Sequence, residues 1–150
     1  FLLGNFPSSC DFSVYGQFTQ LVGFDPTPRR IAHEISPRTV AYVNTLDDRG
    51  GLDYAEEDNS LDSLSDSIYN LFEELAISYV PTLIENHKAI REGEKEWSVD
   101  LAGYPWKQKS FPYQAKCLDW IRDEFKDLDN ENQEKVLNFL TTTNCQSLVE

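Results

Sequence analysis

The sequence predicts a mainly α-helical protein, a helical bundle with one small β-hairpin in a single domain. Apolar residues recur at intervals of three and four along most of the chain, which is typical of helices that bury one face. Serine, threonine, aspartate and proline stand at the starts of these stretches, where they favour helix N-termini. Alternating residues between 96 and 109 predict the hairpin. A length of 150 residues suits one domain.

A capping box predicts the start of the first helix, which we expect from Ser9 to about Val22. Ser8 is the expected N-cap, because its hydroxyl can accept the backbone N–H of Asp11 while the Asp11 carboxylate reaches back to the Ser8 N–H. The charge of Asp11 also suits the positive end of the helix dipole. The apolar stripe of this helix consists of Phe12, Tyr15, Phe18, Leu21 and Val22.

Two proline-started helices are predicted next. A Thr-Pro pair at 27–28 supplies a cap and a first helical residue, and a Ser-Pro pair at 36–37 repeats the signal. The second of these helices should reach about Leu46 and end at the glycines 50–51. The residues expected to face inward are Ile31, Ile35, Val40, Val43 and Leu46.

A long helical pattern follows an acidic loop at residues 52–60. It begins at Leu61 and should end near Gly93. Pro81 lies inside it, where proline removes a hydrogen bond and clashes with the preceding turn. We therefore expect either a kinked helix or two abutting helices.

The hairpin is predicted at about 96–109, with Ala102-Gly103 as its turn. Trp97, Val99 and Leu101 should share one face and cover the helices. Two helices complete the chain, one over 112–128 and one over 131–142. Their expected inward residues are Tyr113, Cys117, Leu118, Ile121, Phe125, Leu128, Val136, Leu137 and Leu140.

Composition excludes several classes of partner. The net charge is −13, so we expect neither nucleic acid nor an anionic membrane surface to bind. No apolar run approaches the roughly 18 residues of a membrane span. The acidic cluster at 47–66 lacks the spacing of an EF-hand, so we expect no calcium site there.

The cysteines and histidines do not predict a metal site or a catalytic triad. The three cysteines form no Cys-x-x-Cys pair, which favours a reduced, cytoplasmic setting over a disulfide framework or a zinc site. The two histidines, His33 and His87, lack ligands at suitable spacing and a serine on a strained turn. We expect both to be structural, and Cys10 and Cys117 to belong to the core.

The segment Leu-Leu-Gly-x-x-Pro-Ser-x-x-Asp-Phe at residues 2–12 resembles the helix-capping segment in the C-terminal helical domain of glutathione S-transferases. One departure is Cys10, where alanine is usual. The hairpin and the segment Phe-Pro-Tyr-Gln-x-Lys-Cys-Leu-x-Trp at 111–120 resemble a bacterial subgroup of transferase-like proteins with an extended helical part. The resemblance is specific in residues 1–50 and weaker in residues 61–150.

The resemblance implies a helical domain that supports catalysis without catalytic residues of its own. In that family the thioredoxin-like N-terminal domain binds glutathione, and no such domain is present here. Because the chain begins with Phe1 and contains no Met, we expect a fragment of a longer protein. The implied partners are the N-terminal domain, with glutathione as its cofactor, and a second copy in a homodimer.

Four residues are predicted to line a pocket for a second substrate. Tyr15 and Phe18 lie near the start of the first helix, and Tyr113 and Lys116 lie in the aromatic, basic part of the chain. The other interpretation of the aromatic residues at 104–120 is that they attach the hairpin to a helix. Two alternatives for the whole chain are a non-catalytic protein-interaction module and an independent helical domain unrelated to transferases.

Overall fold

The computed structural model describes residues 1–4, 6–49 and 64–150. These residues are mainly helical with one two-stranded antiparallel hairpin, which confirms the predicted class. They form two compact units, Phe1–Leu64 and Ser65–Glu150, which are described separately. The predicted acidic loop at 52–60 and the glycines 50–51 lie outside the described residues, and the single domain stays a prediction. None of the described helices has the length and apolar character that a membrane span requires.

The described part of the first unit contains three α-helices. α1 spans Ser9–Phe18 and continues as a π-helical segment, Thr19–Phe24, beyond the predicted end. α2 spans Pro26–Ile35, and α3 spans Pro37–Asp47. Among the residues of this unit that the structure describes, the most deeply buried apolar side chains are Val22, Val43 and Leu46.

The start of α2 differs from the prediction. Asp25 is the N-cap, and its Oδ1 accepts the Thr27 N–H at 3.0 Å. Pro26 takes the first helical position, where its fixed φ and missing N–H cost nothing. Aspartate also caps a helix somewhat better than threonine does. The helix therefore begins two residues before the position predicted from the Thr-Pro pair.

The predicted inward face of α2 is also wrong. Ile31 is 45% exposed and Ile35 is 77% exposed, whereas Pro28 and Ala32 are partly buried. Pro28 and Ala32 lie one turn apart and therefore share one side of the helix. The described part of this unit has too few helices to cover both sides, so the isoleucines stay at the surface.

α4 opens the second unit as one continuous helix, Asp66–Glu92, with Ser65 as N-cap. The helix passes through Pro81 without a break, so the alternative of two abutting helices is wrong. It ends where predicted, at Gly93, whose φ of 74° is the left-handed conformation that glycine adopts at helix ends.

The hairpin follows as predicted. β1 (Glu96–Leu101) pairs antiparallel with β2 (Tyr104–Lys109). The turn residues Ala102 and Gly103 have φ values of 53° and 89°, as in the two-residue turns that match strand twist. On β1, Trp97 is buried while Val99 and Leu101 are half-buried, so these alternating residues do share the inner face.

α5 (Pro112–Asp127) and α6 (Asn130–Thr142) complete the unit, followed by a short 3-10 turn, Gln146–Leu148. α5 buries Ala115 and Leu118, and this choice of face leaves Tyr113 58% exposed. The predicted inward position of Tyr113 is therefore wrong. The same correction applies to three residues that are each more than a third exposed, Ile121, Leu128 and Leu137.

Candidate functional site

A buried carboxylate organises the start of α1. Asp11 is fully buried, and its Oδ2 accepts the Ser8 N–H at 2.9 Å and the Ser8 hydroxyl at 2.8 Å. Its Oδ1 accepts the Leu2 N–H at 2.8 Å and the Tyr42 hydroxyl at 2.9 Å. Ser8 is the N-cap, and the two residues form a capping box. Asp11 thus joins the lead-in segment, α1 and α3.

These hydrogen bonds affect the ionisation of both Asp11 and Tyr42. Burial opposes the charge on Asp11, but the hydrogen bonds from Ser8, Leu2 and Tyr42 outweigh it and lower the pKa of the carboxyl group. Burial and the bond to Asp11 raise the pKa of Tyr42 well above its ordinary value. The carboxylate is therefore a stable charged acceptor and is poorly suited to act as a general acid or base.

Tyr15 and Phe18 both lie on α1 and are half-buried. The Tyr15 hydroxyl donates to Asp47 Oδ1 at 2.6 Å, and this bond raises the pKa of the phenol. Tyr15 also lines a mixed polar pocket of about 260 Å³ within the first unit. Arg29 and His33 line the same pocket and provide its basic groups.

Tyr113 and Lys116 are exposed at the surface of α5. The Tyr113 ring contacts Trp120 edge to face, with centroids 5.9 Å apart, and lies 6.3 Å from Phe111. Trp120 and Phe111 are each about half exposed. We call Phe111, Tyr113 and Trp120 the aromatic surface of α5. It is an accessible patch that offers stacking contacts, and Lys116 follows Tyr113 by one helical turn.

The four predicted pocket residues form two pairs. Tyr15 and Phe18 belong to the first unit, and Tyr113 and Lys116 belong to the second. A common pocket for all four stays a prediction.

His87 makes a polar contact between α4 and α5. Its Nε2 lies 2.9 Å from Asp119 Oδ1, and Arg91 reaches the same oxygen at 3.3 Å. His87 is mostly covered, which agrees with the structural role predicted for it. The hydrogen bond from His87 lowers the pKa of Asp119, and burial raises it by a smaller amount.

Replacing Asp119 by asparagine should lower the free energy of unfolding at pH 7 by about 0.5 kcal/mol, a small effect because the side chain is 40% exposed and solvent screens its charge. A lowered folded pKa stabilises the protein above the unfolded carboxyl pKa of about 3.9, and the stabilisation is lost as pH falls through the folded pKa. The difference between the variant and the native chain should therefore shrink from pH 7 to pH 3 in urea unfolding. Asp123→Asn removes only a surface pair with Lys126 and is the matched control. An equal effect of both variants at pH 7 would contradict a special role of Asp119.

The second unit also contains an apolar cavity that the sequence did not predict. It measures about 450 Å³ and is lined by α4, α5, α6 and the segment 145–149. We call it the C-terminal cavity. Four of its lining residues are buried core residues, namely Val80, Leu83, Leu140 and Cys145. Glu124 is its one charged lining residue.

Two sequence signals bear on this cavity. Ile121, Phe125 and Leu128 follow the helical spacing of a lining face, and Glu124 interrupts that face with a charge. Asn144 has a φ of 58°, an uncommon conformation that asparagine tolerates after a helix end. The resulting turn brings Cys145 back onto the core. The sequence alone indicates the stripe and the turn, but it does not indicate an empty space beside them.

The second unit also contains a buried asparagine whose role the sequence did not predict. Asn86 is fully buried, and its Oδ1 accepts the Phe111 N–H at 2.7 Å and the Trp97 indole N–H at 3.1 Å. Its amide nitrogen donates to the Phe111 carbonyl at 3.0 Å. Asn86 thus holds β1 and the start of α5 against α4. The sequence signal for this role is a polar residue, Asn86, on the apolar stripe of α4.

Within the described ranges, no group of three or more histidine, cysteine or acidic side chains is placed to hold a metal ion. The three cysteines are free thiols. Burial raises the pKa of the Cys145 thiol, which makes it a weak nucleophile at neutral pH. In comparisons with known proteins, no family model, no curated protein and no solved structure matches this chain.

Proposed function

We propose that this chain is the helical support and second-substrate domain of a glutathione S-transferase-like protein of the bacterial subgroup with an extended helical part. The Ser8–Asp11 network is the observation that carries the proposal. It lies in the segment whose sequence resembles the family's capping segment, and its carboxylate accepts four hydrogen bonds from three parts of the first unit. The free thiols suit the reduced, cytoplasmic setting that we propose for it.

In this proposal the chain supplies binding groups and leaves thiol activation to a thioredoxin-like domain. Tyr15 and Phe18 offer half-buried aromatic surface, and Tyr113 offers an exposed ring for an electrophilic substrate. Lys116 offers a positive charge to an anionic group on that substrate. Binding of this kind positions the electrophile for attack by glutathione thiolate, which lowers the entropic part of the barrier.

Isothermal titration with glutathione tests the proposal. We expect the longer protein that carries this chain to bind glutathione, and the 150-residue chain by itself neither to bind it nor to catalyse conjugation. Glutathione binding by this chain alone would contradict the division of roles. Absence of binding by both proteins would contradict the transferase proposal as a whole.

A protein-interaction module is the second candidate, and exposed apolar residues favour it. Phe24 is 73% exposed, and Ile31 and Ile35 add apolar surface on α2. The aromatic surface of α5 has the composition that recurs at the centre of protein interfaces. If glutathione does not bind the longer protein, a pull-down with the native chain should recover a protein partner that is lost when Tyr113 and Trp120 are replaced by alanine.

A further inference from the structure

The C-terminal cavity is a recess into the core and is more than an uncovered helix face. Leu83 and Cys145 lie behind its lining with no surface accessible to solvent, and partly exposed side chains such as Ile121 form the accessible wall. Walls from α4, α5, α6 and the segment 145–149 surround it. Its volume of about 450 Å³ falls within the range of about 300 to 1,000 Å³ that is usual for small-molecule sites.

The walls of the cavity favour an apolar occupant over water. A bound water needs two to four polar partners, and most of the lining side chains are hydrocarbon. The Cys145 thiol donates to the Phe72 carbonyl at 3.3 Å, so it already has a partner. The Tyr79 hydroxyl and the Glu124 carboxylate are the other polar side-chain groups of the lining, and both residues lie in the exposed class.

The charges near the cavity favour one kind of head group on an apolar ligand. Glu124 places a carboxylate at the cavity, and the net charge of −13 adds a field that attracts cations. Arg122 is near in sequence, but it does not line the cavity, and its guanidinium donates to the Ser147 carbonyl at 3.3 Å. An ammonium head is therefore favoured over a carboxylate head.

We propose that the C-terminal cavity binds a small molecule with an apolar body and one cationic head group beside Glu124. This site goes beyond the proposed transferase role, because it needs neither glutathione nor conjugation. It can therefore be tested on this chain alone.

The first experiment titrates the native chain with phenylnaphthylamine, an uncharged probe whose fluorescence rises in apolar surroundings. Val136 is a half-buried lining residue, so Val136→Phe should fill the cavity and weaken probe binding at least tenfold. Val14→Phe makes the same change at a half-buried position on α1 that does not line the cavity, and it should leave binding unchanged. Leu148→Trp is a second filling variant in case Val136→Phe fails to fold.

The second experiment displaces the probe with dodecylammonium or dodecanoate. We expect dodecylammonium to compete more strongly. Glu124→Gln should reduce that preference by about two- to fivefold, the effect of one exposed ion pair. Glu134→Gln removes the same charge from an exposed position on α6 outside the lining and should leave the preference unchanged.

Three outcomes would overturn the proposal. They are the absence of probe binding, full binding by both filling variants, and competition by dodecanoate equal to that by dodecylammonium. Sedimentation at the assay concentration supplies a further criterion. A dimer that excludes the probe would show that a second copy covers the cavity in place of a ligand, whereas a monomer that binds the probe supports the site.

Discussion

Replacing Asn86 by alanine is expected to lower the free energy of unfolding of the second unit by about 3 kcal/mol or more. The substitution removes three hydrogen bonds at once. It leaves the Trp97 indole N–H and the Phe111 backbone N–H without their partner, whereas the Phe111 carbonyl still accepts the Gln114 N–H at 3.1 Å. Each buried polar group that loses its partner costs about 1 to 3 kcal/mol, which is more than the net value of the bond itself.

Urea unfolding followed by circular dichroism measures this effect. Asn70→Ala is the matched control, because Asn70 lies on the same helix and is exposed. Its effect should stay within about 0.5 kcal/mol. Asn86→Asp is a second test, since it keeps an acceptor for Trp97 but loses the donor to Phe111 and buries a charge. A stability loss for Asn86→Ala no larger than that of Asn70→Ala would rule out this anchoring role.

Replacing Asp11 by alanine should cost the first unit about 3 kcal/mol. The capping box alone accounts for about 1 kcal/mol. The remainder follows from the hydroxyl of the half-buried Tyr42 and from the Leu2 and Ser8 groups, which lose a charged acceptor. Asp48→Ala, an exposed position at the end of α3, is the control and should change stability by less than about 0.5 kcal/mol.

The cost of losing the Asp11 charge should also depend on pH, with a sign set by its lowered pKa. A lowered folded pKa stabilises the protein above the unfolded value of about 3.9, and that stabilisation disappears as pH falls through the folded pKa. The gap between the native chain and Asp11→Asn should therefore be largest near neutral pH and should narrow in acid. Denaturant melts of both proteins at pH 7 and pH 3 measure it, and a gap that widens in acid would contradict the assignment.

Asp11 and Asn86 anchor the elements on which the transferase proposal and the cavity proposal depend. Asp11 holds the lead-in segment and α3 to the helix that carries Tyr15 and Phe18, so a transferase role for those residues depends on it. Asn86 holds β1 and the start of α5 to α4, and the same two helices form walls of the C-terminal cavity. Substitution at either anchor should therefore disturb binding as well as stability.

Local signals predicted the elements well where their physical cause lies within a few residues. The Ser-x-x-Asp box located the start of α1, and the αL glycine located the end of α4. Alternation with a two-residue turn located the hairpin. The start of α2 was misplaced because Asp-Pro and Thr-Pro are adjacent and both favour a helix start.

Burial was predicted less well because it depends on which neighbours a helix has. Ile31, Ile35 and Tyr113 have the spacing of inward residues, yet they remain exposed. Helical periodicity gives the direction of an apolar stripe, but it does not show whether another element covers that stripe. The same limit applies to the candidate site, because the sequence indicates which aromatic side chains could bind a ligand but does not show which residues contact them.

The sequence by itself determined the helical class, the hairpin, the N-cap of α1, the glycine end of α4 and the acidic character of this protein. These follow from backbone preferences, short-range hydrogen bonds and composition, which need no knowledge of distant residues. Only the tertiary structure decided that Tyr42 completes the Asp11 network, that Asn86 joins three elements, and that an apolar cavity lies beside Cys145. Such features arise when side chains from separate segments of the chain pack together, and their geometry is set by that packing.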